Sequence, residues 1–370
     1  MKFSSRKLLT VGLGVLALGV LLYLLRGVLH LRTFSWVKLW ETIRHANPLY
    51  LLIAVIGIYG CYALRALRWQ VFQRNLGKAH FGSIYGMTLA GFSAVFLLGR
   101  AGEPVRPLLL AREAKHPVAD VFGIWVLERL FDLASTAVLA AVGLIVFAGR
   151  SPGGEGAGTL ETATKSAGSL LAFGVFAAAI FLLYLRLHGS SMLERKLEGW
   201  RGSSGWRGTL ARIVLGFVRG IQTIRTWGDF VLSTLYSAAH WALVVVIYFV
   251  VAQSFSGRLA QLSFSENMLV LVFTMVGSAV QLPAVGGGSQ ALTIFAYTKI
   301  FGVESEPAVA AALIVWLVTF AACSLAGVPL LIREGFSLGK LRQLAKQEKE
   351  ELAEIAAGPQ HDARPGDALE

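Results

Sequence analysis

Charge is scarce in this chain. Only 15% of its 370 residues are Asp, Glu, Lys or Arg, against roughly 25% in an average globular domain, and 55% are hydrophobic. Mean hydropathy is +0.62. Such a composition excludes a soluble domain with one core and defines an all-α polytopic membrane protein. Cysteine is nearly absent. Cys61 and Cys323, both inside apolar segments, exclude a disulfide framework or a CxxC metal site and read as inert packing residues. Catalytic signatures are missing too, with no HExxH anywhere in the chain. Gly287-Gly288-Ser289-Gln290-Ala291 fails the nucleophile-elbow pattern at its last position, and Gly335 to Lys340 is one residue short of a P-loop. These absences argue against an ATP-driven pump and imply no cofactor and no metal.

What the chain does contain is apolar spans edged with basic residues. The 34 Lys and Arg against 22 Asp and Glu give a net charge of +12, which in a soluble protein would point to nucleic acid. Here the basic residues flank apolar runs, where they orient the chain and attract anionic lipid head groups. Membrane lipid is therefore the expected partner, and not nucleic acid.

Six spans are expected. Leu8 to Leu25 follows Lys2, Arg6 and Lys7 without a small-x-small cleavage site, so it reads as a retained span with a cytoplasmic N-terminus. Leu49 to Leu67 is followed by Arg68, Arg74 and Lys78, with Arg65 placed to snorkel to the same cytoplasmic side. Ala119 to Phe147, Gly168 to Leu187, Phe230 to Val251 and Ala308 to Ile332 complete the set. Residues 34 to 45 set Phe34, Val37 and Trp40 opposite Lys38, Glu41 and Arg44, the pattern of an interfacial helix. The glycine-rich loop 149–166 belongs outside. Eight Lys and Arg lie between 186 and 225, and segment 188–228 reads as a cytoplasmic amphipathic segment. A membrane domain over 1–335 then leaves 336–370 as a cytoplasmic charged helix and disordered tail.

Two interruptions organise the apolar runs: Gly99-Arg100-Ala101-Gly102-Glu103-Pro104-Val105-Arg106, and Leu282-Pro283-Ala284-Val285-Gly286-Gly287-Gly288-Ser289. Backbone groups freed at such breaks need protein or a water-filled cavity as partner. We therefore expect two re-entrant hairpins, at about 82–112 and 266–301. Counting the first as a full crossing would put the eight-cation segment outside, against the positive-inside rule. Span, hairpin and span then occur twice. One span between the units makes them opposed, an inverted repeat, with the tips at Gly102 and Gly287 meeting at mid-depth. A stripe of Gly82, Gly86, Ala90 and Ala94 suits close packing of the first hairpin.

The candidate binding residues lie at and opposite these breaks. Arg100, Arg106 and Arg129 stand against Glu103, Glu128 and Asp132. Equal numbers of opposite charge admit two readings, a site for a lipid phosphate or a neutral ion-pair network that pins the hairpin. Glu103-Pro104 suits the start of the first hairpin's second arm, and Ser289 suits an N-cap on the other. Pro283, Gly286 and Gly287 shape the second tip. Both half-helices would then aim N-terminal dipole ends at the midplane. His240 reads as packed or cavity-lining rather than as a proton carrier. A transferase using Glu128 or Asp132 as base, and a scaffold for a separate lipid-modifying enzyme, are the alternatives.

Several of these stretches, taken in order, resemble one family: Arg65-Ala66-Leu67-Arg68-Trp69, Gly99-Arg100-Ala101-Gly102-Glu103 with Arg106, Glu128-Arg129-Leu130-Phe131-Asp132, and Leu282-Pro283 with Gly286-Gly287. The chain resembles the membrane region of lysylphosphatidylglycerol synthases, also called the flippase-like family, over about residues 8 to 335. Gly99 stands where that family usually has Pro before the Arg, and Gln290 where an acidic residue is common. The resemblance implies lipid translocation, or an accessory role with lipid-linked sugars. No segment here corresponds to the synthases' aminoacyl-transfer domain, so lipid aminoacylation is not carried over.

Overall fold

The computed structural model describes residues 34–74, 77, 79–114, 118–148, 226–278, 281–282 and 286–335, with isolated positions at 166, 169–170, 173–174 and 339. The expected span at 8–25, nearly all of the span at 168–187, the loop 149–166, segment 188–228 and the tail after 335, and Pro283 lie outside the described residues.

The helices begin where the sequence supplies caps. Ser35 Oγ accepts the Lys38 N–H ahead of α1, Trp36–Arg44. Asn47 Oδ1 accepts the Leu49 N–H ahead of α2, Pro48–Gln73, which carries Pro48 at its first turn. After α3, Phe81–Leu98, a short 3-10 turn covers Gly99–Gly102. The chain resumes as α4, Val105–Ala114, and then α5, Val118–Ala148. Thr226 caps α6, Trp227–Gln253, and Ser263 with Glu266 forms a capping box on α7, Phe264–Gly277. Strands β1, Gln281–Leu282, and β2, Gly286–Gly287, make a two-residue antiparallel ladder before α8, Gly288–Phe295. Last come α9, Ser305–Trp316, and α10, Cys323–Arg333.

Among the described residues, five helical segments are long and apolar enough to cross a bilayer: Pro48–Gln73, Phe81–Leu98, Val121–Val146, Trp227–Gln253 and Ser305–Arg333. Four are expected spans. The fifth, Phe81–Leu98, is the first arm of the first hairpin, and at 18 residues it reaches about 27 Å.

The chain doubles back at each interruption. In the first hairpin a Cβ on Gly91 would stand 2.9 Å from the Arg106 Cα, and Ser83 Oγ donates to Glu113 Oε1 at 2.6 Å. In the second, the Thr274 and Thr293 hydroxyls meet at 2.6 Å and the Phe273 and Phe295 rings at 6.1 Å. The expected small-residue stripe is only partly the contact surface. Ala90 and Ala94 are fully buried, but nothing approaches Gly82, whereas Gly91, off the stripe, receives the returning arm.

The two span–hairpin–span units run in opposite directions. Helices α2 and α6 lie antiparallel: Asn47 N–H donates to the Ser254 carbonyl at 2.7 Å, His240 Nδ1 lies 3.3 Å from the Cys61 carbonyl, and Arg74 pairs with Asp229 at 3.0 Å. The first hairpin opens beside the C-terminal end of α2, where Gln70 Nε2 donates to the Ala79 carbonyl. The second opens beside the C-terminal end of α6, where the Phe249 and Phe264 rings lie 6.0 Å apart. The mouths therefore face opposite ends of the bundle, and the tips meet: Cα atoms of β1 come within 8 Å of those of the 3-10 turn Gly99–Gly102.

Helix α1 sits at the Asn47–Ser254 end. It is tied to α9 by the Ser35 N–H donating to Glu306 Oε1 at 3.0 Å and by Lys38 Nζ donating to Glu304. The Glu304 carboxylate raises the Lys38 pKa from its ordinary value. Of the expected apolar face, Val37 and Trp40 point outward beside Trp36, whereas Phe34 is half-buried and Leu39 is buried against the core.

Candidate functional site

A charged cluster sits where α2, α4, α5 and α6 converge. Arg65, Arg68 and Trp69 fall at i, i+3 and i+4 on α2 and so share one face. On α5, Glu128 and Asp132 are four apart and Arg129 and Asp132 three apart, so Asp132 can meet both. Arg65 Nη1 donates to Glu128 Oε1 and to Asp132 Oδ2, each at 2.8 Å. Arg68 Nη2 donates to Glu128 Oε1 and Asp132 Oδ1, each at 2.9 Å, and its Nη1 donates to Ser237 Oγ at 2.8 Å. Trp69 Nε1 donates to Glu128 Oε2 at 2.7 Å, and Arg106 pairs with the same oxygen. Arg129 Nη2 lies 3.5 Å from Asp132 Oδ2. Glu128 is wholly buried at 0% exposure and Arg68 nearly so at 1%.

Nothing about Arg65 and Arg68 as cluster members was expected. Their position at the end of an apolar run read as a cytoplasmic anchor, with Arg65 snorkelling outward. The structure corrects this: both point inward, held by two carboxylates from a facing helix. The readable signal was the i, i+3, i+4 spacing of Arg65, Arg68 and Trp69, which puts all three on one face.

This correction changes the charge count. Arg65, Arg68, Arg106 and Arg129 face Glu128 and Asp132, with Glu103 close enough to act on Arg129 electrostatically. The expected neutral set of three against three becomes four against three. Hydrogen-bond capacity is more lopsided still. Each guanidinium has five N–H donors and each carboxylate about four acceptor positions. Both Glu128 oxygens are shared between two partners each and each Asp132 oxygen accepts from an arginine, while Arg68 Nε, Arg106 Nη1 and Arg129 Nε are enclosed without an acceptor. The cluster is short of acceptor oxygen.

Beside it lies a cavity of about 480 Å³. Arg65, Glu103, Arg106, Arg129 and Asp132 line it, together with the neutral polar residues Tyr248, Thr274 and Ser278. Along α6 the walls run from His240 to Tyr248, about 12 Å at the helical rise. Arg129 is the most open guanidinium, with its side chain 39% exposed, against 10% for Arg65, 4% for Arg106 and 1% for Arg68. Aromatic faces hold the enclosed cations: Arg106 lies 5.0 Å from the Trp69 ring centre, and Arg65 and Arg106 each lie 5.2 Å from that of Phe92.

Of the sequence-predicted residues, Arg106, Glu128, Arg129 and Asp132 come together, with Glu103 on the same cavity. Gly286, Gly287 and Ser289 instead build the second tip and do not line it. Both glycines have positive φ, 93° and 129°, the conformation a side chain resists. Ser289 is not the expected N-cap. Helix α8 already starts at Gly288, so Gly287 is the N-cap and Gln290, in the first turn, reaches back with its Oε1 accepting the Gly287 N–H, while Ser289 Oγ donates to Gln290. Only the backbone of Arg100 is described, within the 3-10 turn. His240 is buried on the cavity wall beside the Cys61 carbonyl, as a packed residue would be, and Cys61 and Cys323 are free and buried.

Fold and site together define an all-helical, multi-pass membrane protein with an arginine–carboxylate cluster buried between its spans. Residues 9–327 match the family described as Lysylphosphatidylglycerol synthase TM region, and the chain belongs to that family. It is also similar to a UPF0104 membrane protein of Methanothermobacter thermautotrophicus, 22% identical over 321 residues that cover 81% of this chain and 90% of that protein.

Proposed function

We propose that this protein moves an anionic phospholipid, or a lipid-linked phosphate head group, across the cytoplasmic membrane, with both hairpins re-entrant from opposite faces and both termini cytoplasmic. The observation that carries the reading is the donor surplus: buried guanidinium N–H groups without acceptors, beside a cavity that a phosphate could enter. Ionised groups at bilayer depth cost ~2.5–3.5 kcal/mol each on insertion scales. A network that served only to pin the hairpin would keep its donors and acceptors balanced, and this one does not.

In this reading Arg129 meets the phosphate first, because it is the open guanidinium. Arg65 follows, with Arg106 behind. Glu128 fixes the arginines and does not touch the ligand. Leu133 and Val276 line the cavity and are largely exposed on the outer surface of the bundle, so acyl chains can remain in the bilayer while the head group enters. Mass spectrometry of copurifying lipid, together with an assay of purified protein in vesicles for head-group movement against product formation, tests the reading. Movement of an anionic lipid without chemical change is expected. A modified lipid product would favour a transferase instead.

A further inference from the structure

The last span changes its winding where it forms the cavity wall. Ser305–Trp316 is α-helical, Leu317–Ala321 is a π-helical turn, and Cys323–Arg333 returns to α with Pro329 inside it. A π turn shifts carbonyls out of register, and Pro329 offers no N–H to the Leu325 carbonyl. Neighbouring helices hold the carbonyls at this irregularity. Tyr62 OH donates to the Thr319 carbonyl at 3.1 Å and Tyr59 OH to that of Ala322 at 2.7 Å, while Ser93 Oγ shares its one proton between the Leu89 carbonyl at 2.8 Å and that of Cys323 at 3.2 Å. Thr319, Phe320 and Cys323 line the cavity, so bending here reshapes it.

Tyr62 also touches the arginine cluster. Its ring lies 5.0 Å from that of Phe92, and Phe92 is the ring that holds the guanidiniums of Arg65 and Arg106. Guanidinium, Phe92, Tyr62 and the Thr319 carbonyl form one unbroken series of contacts. A guanidinium that turns toward an anion gives up part of its hold on the ring, because the same positive charge makes both interactions.

We propose that Tyr62 is a latch that fixes the last span at its π turn, and that an anionic head group on the arginines loosens it through Phe92. The loosening rests on the anion reading given above; the latch does not. Loss of one hydrogen bond of ordinary strength should raise local opening about threefold to tenfold.

Hydrogen exchange of the full chain in nanodiscs tests both parts. In phosphatidylcholine discs, Tyr62→Phe keeps the ring on Phe92 but removes the hydroxyl, so amides 317–323 should exchange about threefold to tenfold faster while those of 264–277 do not change. Tyr59→Phe should act in the same direction. Wild-type protein in phosphatidylglycerol discs should show the faster exchange at 317–323, and Phe92→Leu should abolish that lipid dependence. Unchanged exchange at 317–323 in Tyr62→Phe, or an equal rise at 264–277, would overturn the latch. Equal wild-type exchange in the two discs, with phosphatidylglycerol seen bound by native mass spectrometry, would overturn the coupling alone. Absence of bound phosphatidylglycerol would count against the anion reading, and the coupling with it, and leave the tyrosine variants to judge the latch.

Discussion

Gly91 and Arg106 face each other across the first hairpin at a separation only glycine allows. A Cβ on Gly91 would stand 2.9 Å from the Arg106 Cα and would overlap the start of its side chain. The returning arm has no room to yield, since Gly102 is as tightly held, its Cβ position 2.7 Å from the Val95 nitrogen. Gly91→Ala should therefore cost about 1–3 kcal/mol and move Arg106 off Glu128. A lowered thermal midpoint with loss of lipid movement is expected, while Gly82→Ala, which meets nothing within 4 Å, should match wild type in both.

Glu128 and Arg106 should behave very differently when removed. Glu128 accepts from Arg65, Arg68 and Trp69 as well as pairing with Arg106, so Arg106→Ala strands no carboxylate. Its destabilisation should be modest, and neutralising Glu128 as well should make matters worse rather than restore the protein. Glu128→Gln alone leaves buried guanidiniums uncompensated, a loss of about 3–5 kcal/mol. Thermal unfolding in detergent checks the order: wild type, then Arg106→Ala, then the double variant, which has one buried guanidinium fewer to compensate, then Glu128→Gln lowest.

The tips offer a test of architecture. Cysteines at Ala101 and Leu282, in a version lacking Cys61 and Cys323, should be joined by a short bifunctional thiol reagent, because the 3-10 turn and β1 approach within 8 Å. Gly102 itself is a poor position, since any side chain there meets the Ala94 carbonyl. Cross-linking only between separate molecules would reject the meeting of the tips.

Much of this fold was legible in the sequence because hydropathy and helix breakers act locally. The Gly/Pro-rich interruptions at 99–106 and 282–289 gave both hairpins. The caps at Asn47, Thr226 and Ser263 were found only in the structure, and the one side-chain cap expected, Ser289, did not form. The site was legible on α4 and α5, where charges interrupt an apolar pattern. It was not legible on α2, where Arg65 and Arg68 close an apolar run. An arginine there snorkels or turns inward depending on whether carboxylates face it, and that is decided by packing against α5. Gly91 and the π turn at Leu317–Ala321 were hidden for the same reason.

Orientation can be checked from outside. In the inverted arrangement, single cysteines at His45 and Arg258 should label with an impermeant thiol reagent on intact cells, and those at Arg74 and Arg333 should label only after lysis. His45 and Arg258 lie at the end where Asn47 meets Ser254, and Arg74 at the end where it pairs with Asp229. Labelling of Arg258 and Arg333 positions from the same face would contradict the arrangement.

The claim that most needs a direct measurement is that the arginine cluster receives a phosphate. Wild-type protein and its Arg129→Ala, Arg106→Ala and Arg106→Lys variants, each verified as folded by thermal midpoint, should be reconstituted in vesicles with a head-group-labelled anionic phospholipid. The rate at which inner-leaflet label becomes accessible to an impermeant quencher is then measured. Wild type should expose it, both alanine variants should fall to the protein-free rate, and Arg106→Lys should retain part of the activity, keeping the charge but not the planar fork. Full activity in well-folded Arg129→Ala and Arg106→Ala would contradict a phosphate site at this cluster.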